Sequence, residues 1–126
     1  MKPTRLSHLT FDEQAAVMEY TAYIRAQFPR RILDVILFGS KARGDADAES
    51  DIDLLVLVDS EDNEFRSTLW RLASDVSLKY DVILSPRVLS QARWVEAEQA
   101  RFPLYRAVMT EGVPLLTLPT SPGQSA

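Results

Sequence analysis

A glycine–serine pair and an aspartate pair, separated by ten residues, are the residues of this chain best suited to joint chemistry. Gly39-Ser40 follows the apolar run 32–38, and Asp51 and Asp53 open a second apolar run that ends at Val58. Glycine lets the backbone turn tightly beside a ligand, while serine offers a hydroxyl and an N–H group to an anion. Carboxylates are ligands for Mg²⁺, whose coordination is completed by water and substrate phosphates. The spacing therefore predicts a phosphate site and a divalent-cation site side by side.

Further charged residues extend this candidate site. Lys41 and Arg43 could hold outer phosphates, or could instead pair with the acidic residues at 45 and 47. Two residues apart on a strand, Asp51 and Asp53 would have Cα atoms ~6.5–7 Å apart and side chains on one face. Asp81 is expected to add a third carboxylate, and two metal ions held there would polarise the attacking and leaving oxygens of a phosphoryl or nucleotidyl transfer.

The absence of cysteine and the single histidine narrow the choice of general base. The chain has one histidine, His8, near its N-terminus, and no cysteine. The residues usual for acyl transfer are therefore missing. Asp81 is the best available base for an acceptor hydroxyl, with the metal sharing that work.

The strands that carry these residues must run in defined directions for the residues to meet. We predict strands over 32–38, 51–58 and 80–84, with Asp81 on the third. Ser40 ends the first strand and Asp51 begins the second, so these two strands must be antiparallel. Asp81 begins the third strand, which must be parallel to the second and reached through a helical crossover. The expected fold is α/β (α+β), a small mixed sheet flanked by helices.

The remaining segments complete one predicted domain over residues 10–116. A capping box, Thr10 with Glu13, should begin a helix that ends near Phe28. Two further helices are predicted at 90–100 and from Pro103 to about Gly112, followed by an edge strand at 113–116. We expect a flexible N-terminal arm (1–9) and a disordered tail (117–126). The apolar stripe of the first helix is predicted at Phe11, Ala15, Met18 and Ala22, with Val17 and Ile24 as further candidates.

Composition restricts the partners and the compartment. The chain has 126 residues, a net charge of −4 and a balance of apolar and charged residues ordinary for a globular protein. No apolar run could span a bilayer and no signal peptide is apparent, which together with the lack of cysteine favours the cytoplasm. Because part of the negative charge is concentrated at 45–53, long nucleic acid is an unexpected partner. A nucleotide accompanied by a cation fits better.

The segment GSKARGDADAESDIDLLVLV (39–58) resembles the signature of the minimal nucleotidyltransferases of the DNA polymerase beta superfamily. The C-terminal segment PLYRAVMTEGVPL (103–115) is similar to the end of small bacterial members, so the resemblance covers residues 10–116. It implies an enzyme with a polymerase-beta-like fold that binds ATP or another nucleoside triphosphate with two Mg²⁺ ions. In such an enzyme Asp51 and Asp53 would bind both metals, and Asp81 the catalytic one.

The resemblance also implies a partner. Small members of this kind often act as antitoxins of a HEPN-domain RNase toxin, and some transfer AMP to a tyrosine of that toxin. Two alternatives stay open: nucleotidyl transfer to a small molecule such as an aminoglycoside, and an antitoxin that neutralises its toxin by binding alone. The added helical domain usual for drug-modifying relatives is absent here, and the intact set of Gly39, Ser40, Asp51, Asp53 and Asp81 disfavours a vestigial site.

Overall fold

A four-stranded sheet with helices on both faces forms the framework of the protein. The computed structural model describes residues 6, 8–45, 47 and 50–116. The predicted tail and most of the predicted N-terminal arm lie outside these residues. In chain order the elements are α1 (Phe11–Gln27), β1 (Ile32–Phe38), α2 (Ser40–Arg43), β2 (Ile52–Val58), α3 (Asn63–Tyr80), β3 (Leu84–Ser90), α4 (Gln91–Ala100), α5 (Pro103–Glu111) and β4 (Val113–Pro114).

The strand order is β3-β2-β1-β4. β1 is antiparallel to both β2 and β4, whereas β2 and β3 are parallel. The α3 helix provides the crossover between the two parallel strands. The predicted mixed sheet, with these directions for its first three strands, is therefore confirmed.

The two faces of β2 have different neighbours. Ile52, Leu54, Val56 and Val58 point into the main core together with residues of α1 and α3. Leu55 packs on the opposite face with Phe38 and Val108, beneath α4 and α5. Since side chains alternate along a strand, Asp53 belongs to the face of Leu55. The candidate site thus lies at one end of the smaller core.

The third strand was predicted in the wrong place. Helix α3 continues to Tyr80, and Asp81 caps its C-terminus in the left-handed conformation, with φ of 56°. The strand begins only at Leu84 and runs through Pro86. Proline is tolerated in β3 because it is an edge strand of the sheet, where one side of the backbone needs no partner.

The predictions for the N-terminal part were correct for the cap of α1 and partly correct for its buried face. Thr10 and Glu13 form the expected capping box. Val17 and Ile24, the two further candidates, are fully buried, whereas Phe11 is 86% exposed. The helix buries Glu13, Ala16, Val17, Tyr20, Thr21 and Ile24. The rest of the predicted stripe was wrong because an acidic residue lies on the buried face. Leu6 and Leu9, assigned to the arm, are buried in the main core.

In the described part of the chain, we find no helix that combines the length and apolar character needed to cross a membrane.

Candidate active site

The glycine–serine turn lies directly against the second aspartate. Asp53 pairs with Phe38 of β1 and with Ser85 of β3, so the residue after its β1 partner is Gly39. Gly39 has φ of +83° and ψ of −162°, a conformation that favours glycine. A β-carbon at this position would overlap the Asp53 carboxylate. The structure therefore brings Gly39 and Asp53 together, as the antiparallel pairing of β1 and β2 predicts.

Ser40 begins the single turn of α2. The carbonyl of Gly39 accepts the N–H groups of Ala42 and Arg43, and Gly44 closes the turn with φ of +90°. Ser40 is half-buried. Ser40 lies next to Gly39 just after the end of β1, which is the position predicted from the sequence.

Arg43 lies at the edge of the site and carries two acidic contacts. Its guanidinium is 3.0 Å from Asp45 Oδ2 and 3.1 Å from Glu111 Oε2, and its side chain is 47% exposed. Glu111 Oε2 also accepts the N–H of Gly39 at 2.7 Å. Of the two roles considered for Arg43, the ion pair with Asp45 is formed, and the exposure of the guanidinium keeps it accessible to an anion.

Lys41, predicted either to hold a phosphate or to pair with an acidic residue, forms an ion pair with Glu13 of α1. Its Nζ is 2.6 Å from Glu13 Oε2 and donates to the carbonyl of Asp47 at 3.1 Å. The side chains of Lys41 and Glu13 are only 5% and 7% exposed. Burial alone would raise the pKa of Glu13, but the hydrogen bond from Lys41 and its charge lower it below the ordinary value. Lys41 therefore joins α2 to α1.

The electrostatic surroundings of Asp53 suit a cation. Burial and the nearby Asp51 carboxylate raise the pKa of Asp53; Glu111 acts in the same direction, while Arg87 and Arg43 oppose it. Repulsion between neighbouring carboxylates is relieved when a divalent cation lies between them. Carboxylate oxygens are a suitable donor set for Mg²⁺, so Asp53 on β2 and Asp51 directly before the strand fit the ion that the sequence predicts.

Arg87 and Glu111 are residues of this site that the sequence analysis missed. Arg87 is exposed on β3, two residues beyond Ser85 and on the same face as Asp53. An alternating pattern would have revealed it had the strand been placed at 84–90. Glu111 lies 72 residues from Gly39 in the chain, and no local signal links the two.

Asp81 does not form the predicted cluster with Asp51 and Asp53. Within the described ranges, no three His, Cys, Asp or Glu side chains are arranged to hold a metal ion. As the cap of α3, Asp81 instead lines a recess of about 600 Å³ between the start of α1 and the start of β3. Ser50, immediately before Asp51, borders the same recess together with Thr10, Asp12, Glu13, Tyr80, Val82 and Ile83. The expected third metal ligand is thus displaced because the helix continues where a strand was predicted.

Comparison with known proteins identifies the family. Residues 17–110 match the nucleotidyltransferase domain. The chain belongs to the nucleotidyltransferase domain family. The matched range contains every residue of the candidate site described above except Thr10, Asp12, Glu13 and Glu111. The resemblance found in the sequence, and the type of enzyme it implies, are confirmed at the level of this family.

Two relatives of this nucleotidyltransferase come from Methanocaldococcus jannaschii, and both carry the name "putative protein adenylyltransferase". One is 51% identical over 53 residues, which are 41% of this chain and 54% of that protein. The other is 32% identical over 101 residues, covering 80% of this chain and 95% of the relative. The match to the first relative spans only about half of its length.

Solved structures share the fold of this nucleotidyltransferase. A crystal structure of a toxin–antitoxin with AMP-PNP superposes with a TM-score of 0.54 at 24% identity, over 77% of this chain and 70% of that one. The toxin–antitoxin MntA–HepT gives a TM-score of 0.51 at 24% identity, over 80% and 69% of the two chains. At this identity the similarity establishes the fold, and the predicted mixed sheet flanked by helices is confirmed as the fold shared with these structures.

Proposed function

We propose that this nucleotidyltransferase transfers AMP from ATP to a hydroxyl group of a partner protein. The observation that carries the proposal is the contact between the Gly39 turn and Asp53, because it puts a turn suited to phosphate beside a carboxylate suited to a cation. Membership of the family and the names of the two archaeal relatives support the same reaction.

The residues of the site have distinct roles in this proposal. Asp51 and Asp53 would hold Mg²⁺, two ions in the full assembly, which would neutralise charge on the triphosphate and on the leaving pyrophosphate. Ser40 would bind the triphosphate through its hydroxyl, and Gly39, which has no side chain, lets the turn come close to it. Arg43 and Arg87 add positive charge at the rim. The preorganised charges would be most effective where negative charge develops during transfer.

The transfer itself requires one bond to form, one to break and one proton to move. The acceptor oxygen would bond to the α-phosphorus, the bond from that phosphorus to the bridging oxygen would break, and pyrophosphate would leave. The hydroxyl proton goes to a carboxylate. We assign the role of proton acceptor to Asp81, because it lines a recess that also contains Ser50, the residue before Asp51. An acceptor side chain would enter through that recess.

We further propose that the acceptor is a tyrosine hydroxyl of a HEPN-domain toxin and that the protein acts as its antitoxin. Support comes from the toxin–antitoxin assemblies among the structures that share its fold. AMP-PNP, which the first of these structures contains, agrees with ATP as the nucleotide.

The test is nucleotidyl transfer by the purified wild-type protein. We expect α-labelled ATP to label the cognate toxin in the presence of Mg²⁺, and the label to disappear with EDTA and return when Mg²⁺ is restored. The other three nucleotides serve as controls for base selectivity. Neutralisation of the toxin without label from any nucleotide would contradict the proposal and establish an antitoxin that acts by binding. Label on an aminoglycoside but on no protein would establish a small-molecule enzyme.

A substitution at Gly39 tests the contact on which the proposal depends, and Gly44 offers a matched control. Gly39→Ala and Gly44→Ala both force alanine into a positive φ, at an expected cost of about 1–3 kcal/mol in the free energy of unfolding. At Gly39 the new methyl meets the Asp53 carboxylate, whereas at Gly44 it meets the His8 ring, 2.6 Å from Nδ1. We expect both variants to be destabilised, and only Gly39→Ala to lose Mg²⁺-dependent ATP binding in calorimetry. Equal loss of binding in both would exclude a specific role for the contact.

A further inference from the structure

Glu111, the last residue of α5, reaches the glycine–serine turn from the C-terminal part of the chain. Its carboxylate is only 14% exposed. Oε2 accepts the N–H of Gly39 at 2.7 Å and the Nη1 of Arg43 at 3.1 Å, and Oε1 lies 3.3 Å from the same Nη1. One carboxylate therefore bridges the residue before α2 and the last residue of α2.

The position of Glu111 is itself fixed by the sheet. β4 pairs with β1 through Val113 and Pro114, and the N–H of Leu115 donates to the carbonyl of Val35 at 2.8 Å. Between Glu111 and β4, Gly112 is packed so closely on β1 that an added β-carbon would lie 2.8 Å from Ile36 Cγ2. The end of α5 is thus held on β1, next to the end of the strand from which Gly39 emerges.

The contacts of Glu111 complete the hydrogen bonds of the turn. The carbonyl of Gly39 is occupied by the N–H groups of Ala42 and Arg43, and the N–H of Gly39 by Glu111. Because Gly39 is fixed on both sides, its backbone is held against Asp53. A hydrogen bond to a charged acceptor is stronger than one between neutral groups, and it therefore favours one conformation of this short turn.

We propose that Glu111 is a positioning residue that clamps the Gly39–Arg43 turn in the geometry that receives the triphosphate. The proposal deepens the function assigned above and rests on it. In this role Glu111 does not touch the reacting atoms. It sets the separation between the Gly39 backbone and the Arg43 guanidinium, the two groups that flank the nucleotide-binding side of the turn. It also couples the site to the docking of α5 and β4 on the sheet.

A purely structural role predicts a different outcome from a positioning role. If Glu111 only stabilises the fold, its removal lowers the concentration of folded enzyme and leaves the KM for ATP unchanged. If it positions the turn, the folded enzyme itself binds ATP less well. A misplacement of about 1 Å can cost on the order of 10²-fold in rate.

The experiment compares Glu111→Ala, Glu111→Gln and the control Glu96→Ala in the full chain, with the wild type as reference. Glu96 is an exposed residue of the neighbouring helix α4. We expect Glu111→Ala to lower kcat/KM for ATP by about 10²-fold with a raised KM, and Glu96→Ala to match the wild type. Glutamine keeps an oxygen that can accept the Gly39 N–H, so Glu111→Gln should recover to within roughly tenfold of the wild type.

Amide hydrogen exchange gives a readout that does not depend on catalysis. We expect faster exchange at Gly39 in Glu111→Ala, and near wild-type exchange there in Glu111→Gln and Glu96→Ala. Unchanged exchange at Gly39, or a wild-type KM in Glu111→Ala, would overturn the clamp even if the enzyme transfers AMP. Faster exchange at Gly39 in Glu111→Ala, together with a wild-type protein that transfers no nucleotide, would keep the clamp and reject the proposed function. If Glu111→Ala does not fold, Glu111→Asp replaces it, because the shorter side chain keeps the charge but withdraws the acceptor from the Gly39 N–H. A raised KM with faster exchange at Gly39 would then support the clamp, and a wild-type KM would overturn it.

Discussion

Asp53→Asn is expected to reduce AMP transfer by about 10³-fold while the protein stays folded. Asparagine keeps the shape of the side chain and loses the charge, so the substitution removes an electrostatic contribution to the site, and such contributions are commonly worth about 10²–10³-fold in rate. Labelled ATP and the cognate toxin provide the assay, and circular dichroism verifies the fold. Transfer within tenfold of the wild type would exclude Asp53 as a metal ligand.

The same substitution should have the opposite effect on stability in metal-free buffer. Burial and Asp51 raise the pKa of Asp53 above its ordinary value of 3.8, so the folded state binds this proton more tightly than the unfolded state does. Stability from this group is therefore present at acid pH and is lost as the pH rises through the folded pKa. Asparagine does not ionise, so Asp53→Asn avoids this loss of stability, and we expect its urea midpoint near neutral pH to be higher than that of the wild type. Below the unfolded pKa of Asp53 the two midpoints should become equal.

Asp59 supplies a control of opposite sign. The hydrogen bond from Arg31 lowers the pKa of Asp59, so its contribution to stability is present above the unfolded pKa and is lost as the pH falls through the folded pKa. Asp59→Asn should therefore lower the urea midpoint near neutral pH. If Asp53→Asn and Asp59→Asn shift the midpoint in the same direction, the proposed repulsion between Asp51 and Asp53 is wrong.

Electrostatic repulsion in the ligand-free site explains why Asp53→Asn should lower activity and raise stability. Asp51, Asp53 and Glu111 contribute like charges near one place, and the two arginines offset them only in part. Saturating Mg²⁺ with ATP should stabilise the wild type more than Asp53→Asn, because a ligand that binds only the folded state raises its stability in proportion to its affinity. The same carboxylates therefore lower the stability of the ligand-free protein and bind the cation.

The sequence was sufficient for the part of the site that a strand pairing defines. Gly39 follows β1 and Asp53 lies in β2. The antiparallel pairing of these two strands is therefore enough to predict that the two residues lie together. The position of Asp81 depended on a boundary between helix and strand, which a short apolar segment does not fix. Glu111 and Arg87 enter the site through the docking of α5 and through the register of β3, and both depend on tertiary packing.

Lys41 shows that the residues near a motif do not reveal every partner of a side chain. A lysine directly after a glycine–serine pair favours a phosphate contact when only neighbouring residues are considered. Its actual partner, Glu13, was assigned to the cap of α1, and the cap is indeed formed. The remaining carboxylate oxygen of Glu13 is what accepts Lys41, since Oε1 binds the Thr10 N–H and Oε2 binds Nζ. The pairing follows from where α1 packs, which no local pattern encodes.

Lys41→Met is expected to lower the free energy of unfolding by about 3–5 kcal/mol, the usual cost of leaving one member of a buried ion pair without its partner. Methionine preserves most of the volume, so the loss comes from the unpaired Glu13 carboxylate. The double variant Glu13→Gln with Lys41→Met should recover much of the stability, since glutamine is neutral and can still complete the capping box. Lys79→Met, which breaks the exposed pair with Glu19, should change stability far less. Urea denaturation measures all four proteins.

The double variant also decides between the two roles of Lys41. If the lysine joins α1 to α2, restoring stability with glutamine at position 13 restores ATP binding as well, because no phosphate contact has been removed. If the lysine leaves Glu13 to bind the triphosphate, the double variant is stable and binds ATP poorly. The buried, 2.6 Å contact favours the first outcome: moving Lys41 to a phosphate would leave the Glu13 carboxylate buried and unpaired. The free-energy cost of that unpaired charge would weaken nucleotide binding.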